Sequence, residues 1–328
     1  MKSISNRFNM LLLIVICTSI LSGCAGSRFS YPYDAAAASD NLRPSDVFPA
    51  FTEDFAVAGA QDIALDGLSF DDRTSAGLFA AGSRRTLYAK DLHTRRDPAS
   101  LTKVMTAIVA LKYGSLDQVL TSSTDEYIDD PEAQMLTMQA GEQMTLNQAL
   151  HFLLVFSAND VAMMIAEAIS GDVPHFVALM NEEALRLGAT NTHFANPHGL
   201  TEDGQYTTAY DMYLIFQEAV KSDVFCQIIS MPSYKTQYYR NDGTLKEVEV
   251  RSTNALIREN STYVPPAGVT VVGGKTGSTD EAGQCLILLF KDSGGVPYIA
   301  VYMHAADIQA LYDGMGALML AALRNGIN

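Results

Sequence analysis

Two kinds of apolar pattern follow one another along the 328-residue chain, and their order limits the folds open to it. Short apolar runs at residues 75–81 and 85–89, split by Gly82-Ser83, predict a β-hairpin. Strand-type patterning then returns only near the other end, at residues 269–272, 284–291 and 296–304. Between these stretches the period is helical. Leu101, Val104, Met105, Ile108 and Leu111 recur in steps of three and four, predicting an amphipathic helix after Pro98. Thr145 and Gln148 form a capping box that opens a helix over residues 146–156. Helices at 161–169, 173–187 (stopped by Gly188) and 208–220 follow, and a last one spans 307–324. Early and late strands can share one sheet only if everything between them is inserted as a lobe. The expected fold is α+β: an antiparallel sheet flanked by helices, with an inserted all-helical region at about residues 104–225.

Length alone gives a prior of about two domains, but this order of elements argues for one domain with two lobes. A 48% hydrophobic and 18% charged chain is not a solvated, disordered one. With 22 basic and 37 acidic residues the net charge is −15, so the chain repels phosphate backbones and nucleic acid is excluded as a partner. No repeat of 20–50 residues is visible, which excludes a solenoid.

The N-terminus is an address. Lys2 and Arg7 precede an apolar run at residues 10–20, shorter than the roughly 20 residues a spanning helix needs. Leu21-Ser22-Gly23-Cys24 then resembles the lipobox of a bacterial lipoprotein signal, which implies a cut before Cys24 and acylation of its thiol. An ordinary signal peptide with an incidental cysteine, or an uncleaved anchor, is the simpler alternative. The expected organisation is a signal peptide at 1–23, an Ala-, Ser-, Asp- and Pro-rich tether at 24–53 and a catalytic domain at 54–328, held outside the cytoplasm on a membrane by lipid. In such a compartment Cys226 and Cys285 could pair, although Cys285 lies in an apolar run and is more simply a small buried hydrophobe. No cysteine or histidine spacing suits a metal, and no metal site is expected.

Three constellations carry chemistry. In Ser100-Leu101-Thr102-Lys103 the serine stands at a helix start, and Lys103, three residues on, shares its face. A free lysine, with pKa ~10.4, is a poor base, but burial and a neighbouring cation lower it towards ~7–8. A capping serine with a snorkelling lysine is the bland alternative. Ser157-Ala158-Asn159 falls at a break between two apolar helices, where two polar side chains can enter a cleft or merely cap a helix. Lys275-Thr276-Gly277 lies on a predicted strand, where a cation and a hydroxyl can hold a carboxylate. Gly277 there removes a Cβ that would obstruct an extended peptide; the alternative is an exposed edge lysine that discourages aggregation.

Together and in this order the motifs resemble those of the serine D-alanyl-D-alanine carboxypeptidases, the low-molecular-mass penicillin-binding proteins. The resemblance runs from about Leu78 to Arg324 and includes Ser157-Ala158-Asn159-Asp160, Asn196-Pro197-His198-Gly199-Leu200 and Asp280-Glu281-Ala282-Gly283. It implies the β-lactamase/penicillin-binding-protein transpeptidase-like fold and removal of the terminal D-Ala from peptidoglycan stem pentapeptides, with β-lactams as covalent inhibitors. Ser100 would be the nucleophile and Lys103 its base. Ser157 and Asn159 would relay protons and hold the substrate amide, Lys275 and Thr276 would receive the terminal carboxylate, and the Ser100 and Ser278 N–H groups would form the oxyanion hole. No cofactor is implied. His198, a loop histidine, is expected to serve structure rather than catalysis. A β-lactamase of the same fold is the nearest alternative. However, none of the eight glutamates between Asn159 and Lys275 is followed four residues later by the Asn of a Glu-x-x-x-Asn motif. An inert, lipid-anchored binder of stem peptides is the other alternative.

Overall fold

The computed structural model describes residues 55–325, apart from residues 82, 124–127, 129 and 131–132. The predicted signal peptide and the whole of the predicted tether, Cys24 included, lie outside the described residues.

The chain opens with the predicted hairpin, β1 (Ser75–Ala80) and β2 (Arg85–Lys90). A 3-10 turn, Ala99–Leu101, leads into α1 (Thr102–Tyr113). Two three-residue strands, β3 (Val119–Thr121) and β4 (Gln143–Thr145), come before α2 (Leu146–His151). The predicted Thr145–Gln148 capping box is present at the start of α2, which runs on into a π-helical segment, Phe152–Phe156. Next come α3 (Asn159–Ser170), α4 (Val173–Arg186), α5 (Ala209–Ala219) and α6 (Asp223–Ile229). A second hairpin, β5 (Ser233–Tyr239) and β6 (Leu245–Arg251), precedes the long strands β7 (Thr270–Thr279), β8 (Gly283–Lys291) and β9 (Pro297–Ala305). The last helix is α7 (Ile308–Asn325).

As the strand pattern required, the two ends of the chain share one antiparallel sheet in the order β2-β1-β9-β8-β7. Leu78 of β1 stands opposite Ala300 of β9, and β7 is the edge strand. Alternate side chains of β8 enter different cores. Cys285 and Ile287 pack with the helical lobe, whereas Leu286, Leu288 and Phe290 pack with Leu311, Met315 and Leu318 of α7. A strand covered on both faces needs no polar face, which is why its sequence is an unbroken apolar run. Cys226 and Cys285 are free thiols, Cys285 fully buried, so the hydrophobe reading of that residue holds and the bridge is not formed.

Two features depart from expectation. α1 is not one-sided: every residue from Thr102 to Ala110 is buried, because helices α3, α4 and α5 surround it. The inserted region is also not purely helical. β3 and β4 lie within it and join β5 and β6 in a separate sheet, order β3-β4-β5-β6. In the β5–β6 hairpin only Tyr238 and Val250 are buried; with the half-buried Tyr234 and Val248 they make a short apolar face between exposed residues. A 2.7 Å ion pair between Lys235 and Glu247 links its strands on the other face.

Candidate active site

Three parts of the fold converge on Ser100. The serine itself sits half-buried in the 3-10 turn ahead of α1, one turn before Lys103. Lys103 is completely buried, and its Nζ donates to Ser100 Oγ (2.9 Å), Asn159 Oδ1 (2.5 Å) and the His198 carbonyl (2.6 Å). Burial, and the nearby Lys275 charge, push its amine well below the usual lysine range, against an opposing pull from Asp160. The snorkelling alternative is therefore excluded. The loop bearing His198 reaches this close because Gly199 adopts φ +95°, and a Cβ there would lie 1.9 Å from the Ala99 carbonyl oxygen. His198 does not act through a charged ring. Burial and Lys103 lower its imidazole to about 3, and Nδ1 accepts from Leu200 N at 3.2 Å.

Ser157 ends the π-helical segment in the left-handed region, φ 69°, a conformation costing a non-glycine residue about 1–3 kcal/mol and held here by its surroundings. The Asn159 N–H donates to the Gln134 carbonyl at 2.8 Å, and Gln134 Nε2 donates to the Phe156 carbonyl at 2.5 Å, on either side of that turn. The fully buried Asp160 accepts from the Leu136, Met138 and Val161 N–H groups, each at 3.0 Å, which ties the same segment to the start of α3. Burial raises its carboxyl despite these bonds. The break between helices is thus a braced corner that aims Ser157 and Asn159 into the cleft, more than a capping turn.

The third part is β7. Lys275 is 1% exposed, and its Nζ donates to Ser157 Oγ (2.9 Å) and to the Thr276 carbonyl (2.8 Å); burial lowers its amine to about 7. β7 is an edge strand, as its motif suggested, but Lys275 points inward and is no surface gatekeeper. Gly277 has a second reason for lacking a side chain: a Cβ there would stand 3.1 Å from Ser100 N, so the glycine lets the strand press against the nucleophile's own turn. Ser278 is exposed one residue on. A cleft of about 370 Å³ opens between these parts, lined by Ser100, Ser157, Asn159, Thr276, Gly277 and Ser278 among others. Lys103 and Lys275 lie beneath its wall. Sequence reasoning did not single out Gln134 and Thr253, which also line the cleft, or the His198 carbonyl. Gln134 and Thr253 belong to no motif, and for His198 the sequence draws the eye to the ring rather than the carbonyl. Among the described residues no cluster of His, Cys, Asp or Glu could hold a metal ion.

A profile of the D-alanyl-D-alanine carboxypeptidase family matches residues 72–307. The chain belongs to that family. The D-alanyl-D-alanine carboxypeptidase DacF of Bacillus subtilis is 35% identical over 237 residues, which cover 71% of this chain and 57% of that protein. DacA of Escherichia coli, another D-alanyl-D-alanine carboxypeptidase, is 31% identical over 232 residues, 68% of this chain and 54% of its own. The chain thus spans about half the length of these curated relatives. A mutant of the Streptomyces K15 DD-transpeptidase superposes with a TM-score of 0.70 at 27% identity, over 76% of this chain and 97% of that one. The D-alanyl-D-alanine carboxypeptidase of Mycobacterium tuberculosis superposes with a TM-score of 0.66 at 27% identity, over 77% and 91%. Membership of the family brings the expected fold with it, and Ser100, Lys103, Ser157, Asn159 and Lys275 meet at one cleft of that fold.

Proposed function

We propose that this chain is a serine D,D-carboxypeptidase that removes the terminal D-Ala from peptidoglycan stem pentapeptides through an acyl-enzyme. The observation that carries the reading is the buried Lys103 amine 2.9 Å from Ser100 Oγ. An amine kept uncharged by burial has two N–H donors, for Asn159 Oδ1 and the His198 carbonyl, and turns its lone pair to Ser100, so it can take the serine proton as the oxygen attacks the penultimate D-Ala carbonyl. The resulting oxyanion is received by the Ser100 and Ser278 N–H groups, with Gly277 allowing β7 to approach. Ser157, bonded to Lys275, gives its hydroxyl proton to the leaving D-Ala amine and is reprotonated by the proton Lys103 took from Ser100, while Asn159 holds Lys103 and the substrate amide. Water then releases the shortened peptide and restores Ser100.

The terminal carboxylate belongs at the Thr276 end of the cleft. Lys275 supports it from beneath the wall, acting as a charge behind the hydroxyls. A β-lactam acylates Ser100 by the same attack, but its opened ring stays attached and blocks the site. The missing Glu-x-x-x-Asn carboxylate argues for slow release and against a β-lactamase. An acceptor amine in place of water would give transpeptidation, the activity for which the Streptomyces neighbour is named. The Leu21-Ser22-Gly23-Cys24 sequence supports anchoring by lipid at Cys24, outside the cytoplasm. Labelled penicillin is expected to attach to the wild type at Ser100 and not to Ser100→Ala; an adduct mapped to another residue would overturn the assignment.

A further inference from the structure

The three motifs leave the cleft-lining hydroxyl of Thr253 without a task. Thr253 follows β6 in the chain and lines the cleft beside Thr276, whose Oγ1 donates to Thr253 Oγ1 at 2.6 Å. Its backbone is pinned from two directions. The N–H donates to the Val155 carbonyl at 3.0 Å, two residues before Ser157, and its own carbonyl accepts from Arg258 Nη2 at 3.1 Å. Arg258 Nε also donates to the Ser252 carbonyl, and Ser252 N donates to the Pro232 carbonyl at 2.9 Å. So rigid a seat fixes the hydroxyl where the helical lobe meets the strand edge.

A threonine hydroxyl has one proton to donate. Thr276 directs its proton to Thr253, and among the described residues no protein acceptor takes the proton of Thr253 itself. That donor faces the cleft. The cations do not: Lys275 is 1% exposed and already donates to Ser157 Oγ and the Thr276 carbonyl. A carboxylate entering here meets hydroxyls first and a cation second. Each of its oxygens takes up to two hydrogen bonds, more than Thr276 alone provides.

We infer that Thr253 is a substrate-binding residue: its hydroxyl donates to the terminal carboxylate beside Thr276 and helps select peptides ending in a free acid. The inference rests on the carboxypeptidase reading above and deepens it. In the free enzyme Thr276 donates to Thr253, and the Thr253 proton is left for the cleft. On binding, Thr276 rotates its proton to one carboxylate oxygen and Thr253 donates to the other.

The test compares wild type, Thr253→Val and Thr253→Ser on a peptide ending in D-Ala-D-Ala and on its C-terminal amide, with melting curves alongside. Removing a hydrogen bond to a charged group should raise KM for the free acid by about tenfold in Thr253→Val, with kcat changing far less. The amide should be turned over nearly as by the wild type, and Thr253→Ser should recover most of the free-acid affinity. Equal losses on both peptides, no loss on either, or failure of serine to rescue would overturn the inference while leaving the carboxypeptidase reading in place. If Thr253→Val does not fold, Thr253→Ala supplies the same comparison. A wild type that cleaves neither peptide overturns the carboxypeptidase reading, and this inference with it.

Discussion

Two buried lysines set the chemistry residue by residue, and both leave a pH signature. Acylation needs Lys103 without its extra proton and, for a carboxylate-bearing substrate, Lys275 with one. Lys103 lies well below the usual lysine range and Lys275 at about 7. The rate of acylation by penicillin should therefore fall as pH rises through about 7, where Lys275 loses its proton, and show no rising limb in the ordinary lysine range, because Lys103 lies well below it. A rate that climbs steadily to pH 10 would indicate an ordinary, solvated lysine base instead. Stability carries the opposite sign. Lys275 binds its proton more weakly folded than unfolded, so the unfolded chain holds more protons between about 7 and the unfolded value of 10.5, and stability rises with pH across that window. Between pH 7 and 9 the contribution is on the order of 2 kcal/mol. Urea unfolding should show the wild type gaining on this scale relative to Lys275→Met; equal gains in both proteins would mean that Lys275 titrates normally.

Elements matter through their junctions. Gly199 has φ +95° and a Cβ there would strike the Ala99 carbonyl, so Gly199→Ala must move the 196–200 loop, and with it the His198 carbonyl, away from Lys103. Strain of this kind costs about 1–3 kcal/mol, so penicillin acylation should slow by about tenfold to a hundredfold, with a lower melting temperature. An unchanged rate would show that this loop does not position Lys103. Much of this level was legible in the sequence. The β1–β2 hairpin, the Thr145 capping box, Gly188 after α4 and the late apolar strands all announce themselves through local chemistry. What stayed hidden depends on neighbours distant in sequence. β5 and β6 are exposed or half-buried at all but one position each, and their pairing is visible only across the strands. The burial of Lys275 could not be read from its strand, because the helical lobe supplies the cover. Thr253 and Gln134 gain their places only from contacts with Thr276 and Phe156. The motif residues were legible because their spacing is local; the bracing around them was not.

At the scale of the whole molecule, the β1–β9 pairing closes the chain into a sheet that divides two cores, and the cleft opens where the helical lobe meets its β7 edge. One lobe supplies Ser100, Lys103, Ser157 and Asn159, and the sheet supplies Lys275, Thr276, Gly277 and Ser278. The proposed reaction draws on both. Anchoring is the other property at this scale. Acylation at Cys24 predicts that a fatty-acid probe marks the protein and that Cys24→Ala abolishes the label; label persisting in that variant would refute it. One acyl chain binds membranes only marginally, so stable anchoring implies more than one. The central claim is the reaction at Ser100, and mass spectrometry of a synthetic pentapeptide ending in D-Ala-D-Ala tests it most directly. The wild type should shorten the peptide by one residue and stop there, while Ser100→Ala leaves it intact. Shortening by Ser100→Ala, or an intact peptide beside rapid hydrolysis of penicillin by the wild type, would contradict it.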